Sequence, residues 1–200
     1  MKSARADSGN IRNSVRNFDI IYGKARRKEA AMDKKRKLKV YLESSFISYL
    51  TGRETDDAKI AADQEHTRRW MREQAPLCDV VVSQYVVEES LRGREDLVKR
   101  RMEFLANQEL IKFDAKTVSS LAAKLIAAHA LPPKETTDAL HIAAASVSGA
   151  DYLLTWNCCH MANPHTLPKT IRIVEKAGFR CPQIMTPQTF LENLALGKRK

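Results

Sequence analysis

Apolar residues along this chain recur in two periods. Short unbroken runs, Val40-Tyr41-Leu42, Val80-Val81-Val82 and Tyr152-Leu153-Leu154, are flanked by polar residues and read as buried strands. Longer stretches repeat apolar residues every three to four positions and read as helices. The strands are expected at Lys39–Leu42, Asp79–Ser83, Leu110–Phe113, Tyr152–Thr155 and Gln183–Met185. Helices are expected at Ser45–Thr51, Thr55–Gln74, Tyr85–Leu91, Asp96–Asn107, Lys116–His129, Thr137–Ser148, Lys169–Ala177 and Pro187–Leu196. In the second of these, Ile60, Ala61, Trp70 and Met71 are the expected buried stripe. In the fourth, Leu97, Phe104, Leu105 and the stem of Arg101 share a face. Gly93 and Gly149 end two helices, and Pro132-Pro133 stops a third. Alternating strands and helices predict an α/β fold of three layers, α/β/α, around a short, mostly parallel sheet of four to five strands.

The chain has 200 residues and 44% apolar content, enough for one domain of about 39–196. No apolar run approaches the roughly 20 residues of a membrane span, and no signal-type segment opens the chain. A cytoplasmic protein away from membranes is therefore expected. Cys78, Cys158, Cys159 and Cys181 do not form a disulfide framework in such a setting. The spacing of Cys158, Cys159, His160 and His165 does not suit a zinc knuckle, so free thiols are expected. The net charge of +10 is uneven. Residues 1–39 carry 13 Lys and Arg against 4 Asp and Glu, whereas residues 40–197 sum to −2. Residues 1–38 are read as a disordered basic extension and 197–200 as a basic tail. Met32 is a candidate start of translation. The basic ends suit either counterion release on a polyanion or simple solubility.

Against this frame the acids stand out. Glu43 follows the first strand, and Asp138 lies in the first turn of an alanine-rich helix. Glu89 sits six residues beyond Ser83, the end of the second strand, and Asn157 lies just past Thr155 and the fourth. In an open parallel sheet the carboxyl ends of the strands face one mouth, so these groups can converge. Gathered carboxylates repel, and ionised acids resist leaving water; a divalent cation relieves both costs. Oxygen ligands alone select a hard ion, Mg²⁺ or Mn²⁺. Such an ion suits in-line hydrolysis of a phosphodiester.

Each group also has a plainer role. Asp138 could be a helix N-terminal acid behind a Thr136 or Thr137 cap. Ser45 could cap its helix rather than hold a ligand or water, and Thr155 could satisfy backbone at a strand end. Glu88 reads as a solvated neighbour of Glu89. His141 reads as a packed or supporting histidine, not a ligand. His160 is an outside candidate for phosphate contact. Trp156 could stack on a base but is more readily a core or rim aromatic. Glu43 alone lacks a structural explanation.

Four strings carry a resemblance: Tyr41-Leu42-Glu43-Ser44-Ser45, Ser83 to Glu89, Asp138-Ala139-Leu140-His141-Ile142-Ala143, and Leu153 through Pro164. In this order and spacing they resemble the PIN-domain nucleases, in particular the VapC-like toxins of toxin–antitoxin pairs, over about Val40 to Leu194. The resemblance implies a Mg²⁺- or Mn²⁺-dependent endoribonuclease leaving 5′-phosphate and 3′-hydroxyl ends. It also implies a cognate antitoxin and a possible homodimer. By the same resemblance Glu43, Glu89, Asp138 and Asn157 are the catalytic residues, with Glu43, Glu89 and Asp138 as metal ligands supported by Ser45 and Thr155. Two positions depart from the family pattern. Glu43 stands where Asp is usual, and Asn157 where Asp is frequent; three carboxylates favour one tightly held ion. A catalytically impaired module of the same fold, binding RNA or a protein, is the alternative. A phosphatase on a similar sheet lacks the Asp-x-Asp string expected after the first strand.

Overall fold

The structure, a computed structural model, describes residues 36–197. The expectations for the basic extension through residue 35, for Met32 and for the tail from 198 lie outside these residues. Five strands are described: β1 (Leu38–Leu42), β2 (Cys78–Val82), β3 (Glu109–Leu110), β4 (Tyr152–Leu154) and β5 (Gln183–Met185). The α-helices are α1 (Ser44–Thr51), α2 (Ala58–Glu73), α3 (Gln84–Ser90), α4 (Glu95–Leu105), α5 (Ala115–Ala127), α6 (Thr136–Val147), α7 (Leu167–Lys176) and α8 (Pro187–Gly197). The sheet has the order β3-β2-β1-β4-β5 and is parallel throughout. This is the expected α/β class.

The order determines where a site can form. From β1 the chain winds outward through β2 to β3, then crosses back to β4 and continues to β5. The winding reverses between β1 and β4, and in such sheets a crevice opens there at the carboxyl ends. Helices α1 to α4 pack among themselves and with α8 through α2, while α5 packs on α6 and α7. Helices α3 and α6 meet. Val40, Tyr41, Leu42, Leu153 and Leu154 are fully buried, as central strands covered on both faces require. In α6, Ala139, Ala143, Ala144 and Ala145 are fully buried as well; small side chains let this helix lie close to its neighbours. The amino end of β4 is tied to β1 by Asp151. Its Oδ2 accepts from the Lys39 backbone N–H at 2.9 Å, and its Oδ1 accepts from Arg180 Nη2 at 2.5 Å.

Several expectations need correction. Helix α2 starts at Ala58, because Asp57 caps it by accepting from the Lys59 and Ile60 N–H groups at 2.9 and 3.0 Å. Its buried stripe is Asp63, Gln64, Thr67 and Trp70, with Ile60 exposed. The polar members are buried because they have partners. Gln64 donates to the Arg53 carbonyl and Thr67 to that of Asp63, while Thr67 also accepts from the indole of Trp156. Strand β3 is only Glu109–Leu110, an edge strand with Leu110 exposed. Strand β2 is buried only at Val81 and Val82. Strand β4 ends before Thr155, though the Thr155 N–H still donates to the Met185 carbonyl at 3.1 Å. Among the described residues no helix is long and apolar enough to cross a membrane. None of the four cysteines forms a disulfide.

Candidate metal centre

Strand alternation places Tyr41 and Glu43 on one side of the β1 line, and both turn toward the crevice. Glu43 is the last extended residue before α1 (φ −86°, ψ 164°), and its N–H continues the ladder to the Leu154 carbonyl at 3.1 Å. Its carboxylate is buried, at 4% exposure, and three hydroxyls hold it. Ser44 Oγ lies 2.5 Å from Oε1, Thr155 Oγ1 donates to Oε2 at 2.7 Å, and Ser45 Oγ also donates to Oε2. Ser45 and Thr155 thus both serve Glu43. They bond further to the loop after β4: Ser45 Oγ accepts from the Trp156 N–H at 2.8 Å, and Thr155 Oγ1 from the Asn157 N–H at 2.9 Å.

Glu89 reaches the crevice from the last turn of α3. Arg101 secures that turn by donating to the carbonyls of Ser90 and Arg92 at 3.0 and 2.5 Å. Glu89 Oε2 lies 2.6 Å from Ser44 Oγ and 2.7 Å from His141 Nε2. Burial pushes the Glu89 carboxyl up, but the bonds from His141 and Ser44 and the nearby positive charges hold it below its usual value. Ser44 owns one hydroxyl proton and faces oxygens of two carboxylates at 2.5 and 2.6 Å. It can satisfy one of them fully and not both.

His141 is fully buried. Its Nδ1 is 2.7 Å from Tyr41 Oη, which is 2.7 Å from Ser83 Oγ. Burial raises the Tyr41 hydroxyl well above its ordinary pKa, and the charges of Glu43 and Glu89 add to this, so it stays neutral and remains a donor. Glu43, Glu89 and His141 together offer one ligand atom each, all within 4.8 Å of one another. Sequence reading took His141 for a packed or supporting histidine. Its spacing, three residues beyond Asp138 on α6, puts it on the same helix face but does not say which of the two comes nearest to Glu43 and Glu89.

Asp138 stands beside this trio, outside the group whose ligand atoms lie within 4.8 Å. It is buried in the first turn of α6, and Oδ2 accepts from Asn157 Nδ2 at 2.8 Å. No side chain caps α6, so Asp138 is not explained by a Thr136 or Thr137 cap. Burial, and then the charges of Glu43 and Glu135, push its carboxyl up to about 6. Coupling to Glu43 fits a shared crevice. Asn157 holds the Asp138 oxygen on one side and, through Oδ1, accepts from the His160 N–H at 3.1 Å.

The two suggested RNA contacts are partly engaged elsewhere. The His160 ring pairs with Glu135 at 3.4 Å. Trp156 is half-buried, stacks on Tyr49 with centroids 5.3 Å apart, and donates its indole N–H to Thr67 at 2.9 Å. One face of that ring is therefore already covered. No family model, curated protein or solved structure matches the chain.

Proposed function

We propose that the protein is a Mg²⁺- or Mn²⁺-dependent endoribonuclease of PIN type that hydrolyses RNA phosphodiesters, and the toxin of a toxin–antitoxin pair acting in the cytoplasm. The observation that carries this reading is the gathering of Glu43, Glu89 and His141 within 4.8 Å at the switch point of the sheet. A buried and a half-buried carboxylate contesting one hydroxyl proton form a site short of positive charge, and a cation corrects that shortage. The donors fit such an ion: Glu43 and Glu89 would hold it, with Asp138 alongside. When bound, a divalent ion supplies Lewis-acid polarisation of a phosphoryl oxygen and stabilises the leaving alkoxide.

The chain's own residues do the rest. Ser44, Ser45 and Thr155 fix the Glu43 carboxylate in one orientation, so no reorganisation is required when substrate arrives. His141 fixes Glu89 in the same way. Without an ion the Asp138 carboxyl sits at about 6; a cation alongside would lower that and keep it ionised, able to accept a proton from water as a general base. Asn157 engages Oδ2 and leaves Oδ1 to carry that proton.

One observation favours the alternative of an RNA- or protein-binding module with impaired catalysis: the Asn157 amide spends an oxygen of Asp138 that an acid at 157 would leave to a cation. A cleavage assay on unstructured RNA, with and without Mn²⁺, separates the two. The expected result is metal-dependent cutting that Glu43→Gln and Asp138→Asn each reduce by at least about a hundredfold. Full activity in both variants refutes the site. Tight RNA binding without cutting or Mn²⁺ uptake establishes the module instead.

A further inference from the structure

We propose that His141 is itself a ligand, through Nε2, and that the centre therefore takes a first-row transition ion in preference to Mg²⁺. This rests on the metal-dependent reading above and adds a nitrogen donor to a set that sequence reading made of oxygen alone.

The geometry is close to what coordination requires. Neighbouring ligands on an octahedral ion with bonds of about 2.1 Å lie about 3 Å apart. His141 Nε2 and Glu89 Oε2 are 2.7 Å apart, so they need to part only by tenths of an ångström. The ring cannot easily turn away. It is fully buried, its Nδ1 is held by Tyr41 at 2.7 Å, and the rings of Tyr41 and Tyr85 meet it edge-on, with centroids at 6.0 and 6.4 Å. Metal-bound histidines characteristically give their second N–H to an outer partner that fixes tautomer and aim. Here that partner is Tyr41 Oη, backed by Ser83 Oγ at 2.7 Å. With the proton on Nδ1, the chain runs His141 to Tyr41 to Ser83 and the Nε2 lone pair faces Glu89. With the proton on Nε2, each hydroxyl reverses and Glu89 receives the bond. A cation on Nε2 therefore requires the ring proton to sit on Nδ1, where Tyr41 Oη accepts it.

A nitrogen donor changes which ion is favoured. Mg²⁺ prefers oxygen and gives up its waters reluctantly, whereas imidazole binds first-row transition ions well. Two carboxylates and one imidazole therefore discriminate against Mg²⁺ in a way three carboxylates do not.

The test is pulsed electron paramagnetic resonance on the metal-stripped full chain loaded with one equivalent of Mn²⁺. The expected spectrum shows modulation from one directly bound ¹⁴N. Calorimetry should show Mn²⁺ binding at least about tenfold tighter than Mg²⁺. His141→Gln should abolish the ¹⁴N signal and weaken Mn²⁺ by about tenfold or more, changing Mg²⁺ affinity much less. Tyr41→Phe keeps the ring and covers the case in which His141→Gln does not fold; it should retain the ¹⁴N signal with weaker Mn²⁺ binding. Bound Mn²⁺ without ¹⁴N modulation overturns the proposal and leaves the metal-dependent reading standing. Equal affinity for Mn²⁺ and Mg²⁺ overturns the selectivity. A clear ¹⁴N signal with no RNA cleavage overturns the nuclease reading but not His141 ligation. No Mn²⁺ uptake overturns both.

Discussion

Asp138→Asn should make the metal-free protein more stable while removing the proposed RNA cleavage. In the folded chain the Asp138 carboxyl sits at about 6, against 3.8 for the free side chain. A proton is therefore bound more tightly by the native state than by the unfolded chain. Stability then falls as pH rises through the interval between these values. The penalty is absent below pH 3.8 and complete above pH 6. A shift of this size corresponds to about 3 kcal/mol, an upper bound on the cost of holding Asp138 ionised while buried and beside Glu43 and Glu135. Asparagine carries no charge, nearly matches the shape, and still offers an oxygen to Asn157 Nδ2. Urea denaturation in EDTA should thus find Asp138→Asn more stable than wild type at pH 8 by about 1–3 kcal/mol. The difference should shrink toward zero near pH 4. For a domain of this size each kcal/mol moves the melting temperature by roughly 2–4 °C, so a thermal scan suffices. Added Mn²⁺ should stabilise wild type more than the variant and narrow the gap. An Asp138→Asn protein that is less stable than wild type at pH 8 refutes the reasoning, because Asp138 would then be contributing to the fold rather than straining it.

Two other changes probe neighbouring contacts. Tyr41→Phe deletes a fully buried hydroxyl and leaves Ser83 Oγ and His141 Nδ1 short of a partner; the expected loss is about 1–3 kcal/mol by urea denaturation, and a loss under about 0.5 kcal/mol would contradict the bridge. Asn157→Asp places a second carboxyl where the amide now lies 2.8 Å from Asp138 Oδ2, so the two would titrate as a pair. It should lower metal-free melting temperature at pH 8 and tighten Mn²⁺ binding about tenfold, and unchanged calorimetric affinity would remove Asn157 from the edge of the centre.

The sequence made the fold legible because its signals are local. Val80-Val81-Val82 can be little but a strand, although only Val81 and Val82 are buried, and Pro132-Pro133 stops a helix. Where a boundary depends on tertiary partners, the reading slipped. Leu110–Phe113 has strand-like residues, yet pairing with β2 ends after the Ile111 N–H reaches the Val82 carbonyl at 2.9 Å, and the chain leaves the edge. The inner face of α2 was read from its apolar residues, but Gln64 and Thr67 are buried there because the Arg53 carbonyl and the Trp156 indole bring them partners, and Asp63 because Lys59 on the same helix pairs with it. The same limit applied at the site. Glu43 was visible as an acid without a local explanation, and Glu89 and Asp138 only through their joint pattern with it. That His141, not Asp138, shares the closest group with Glu43 and Glu89 depends on how α6 is rotated against α3, which one sequence does not encode in its spacing alone.

The choice of Glu rather than Asp after β1 follows from what surrounds it. Ser44 and Ser45 open α1 immediately beyond, and Thr155 closes β4 beside it. The Glu43 carboxylate has about four acceptor positions, and these three hydroxyls address three of them. A shorter Asp side chain would withdraw the carboxylate by about one methylene from all three hydroxyls at once. An Asp at 43 would therefore lose the hydroxyl clamp. The hydroxyls and Glu43 form one unit, fitted to each other. What the unit lacks is positive charge: Ser44 has one proton for two carboxylates, and His141 is the sole neighbour in the trio able to supply a cationic or metal-binding nitrogen. Whether that nitrogen carries a proton or a metal is the difference between an empty centre and a loaded one.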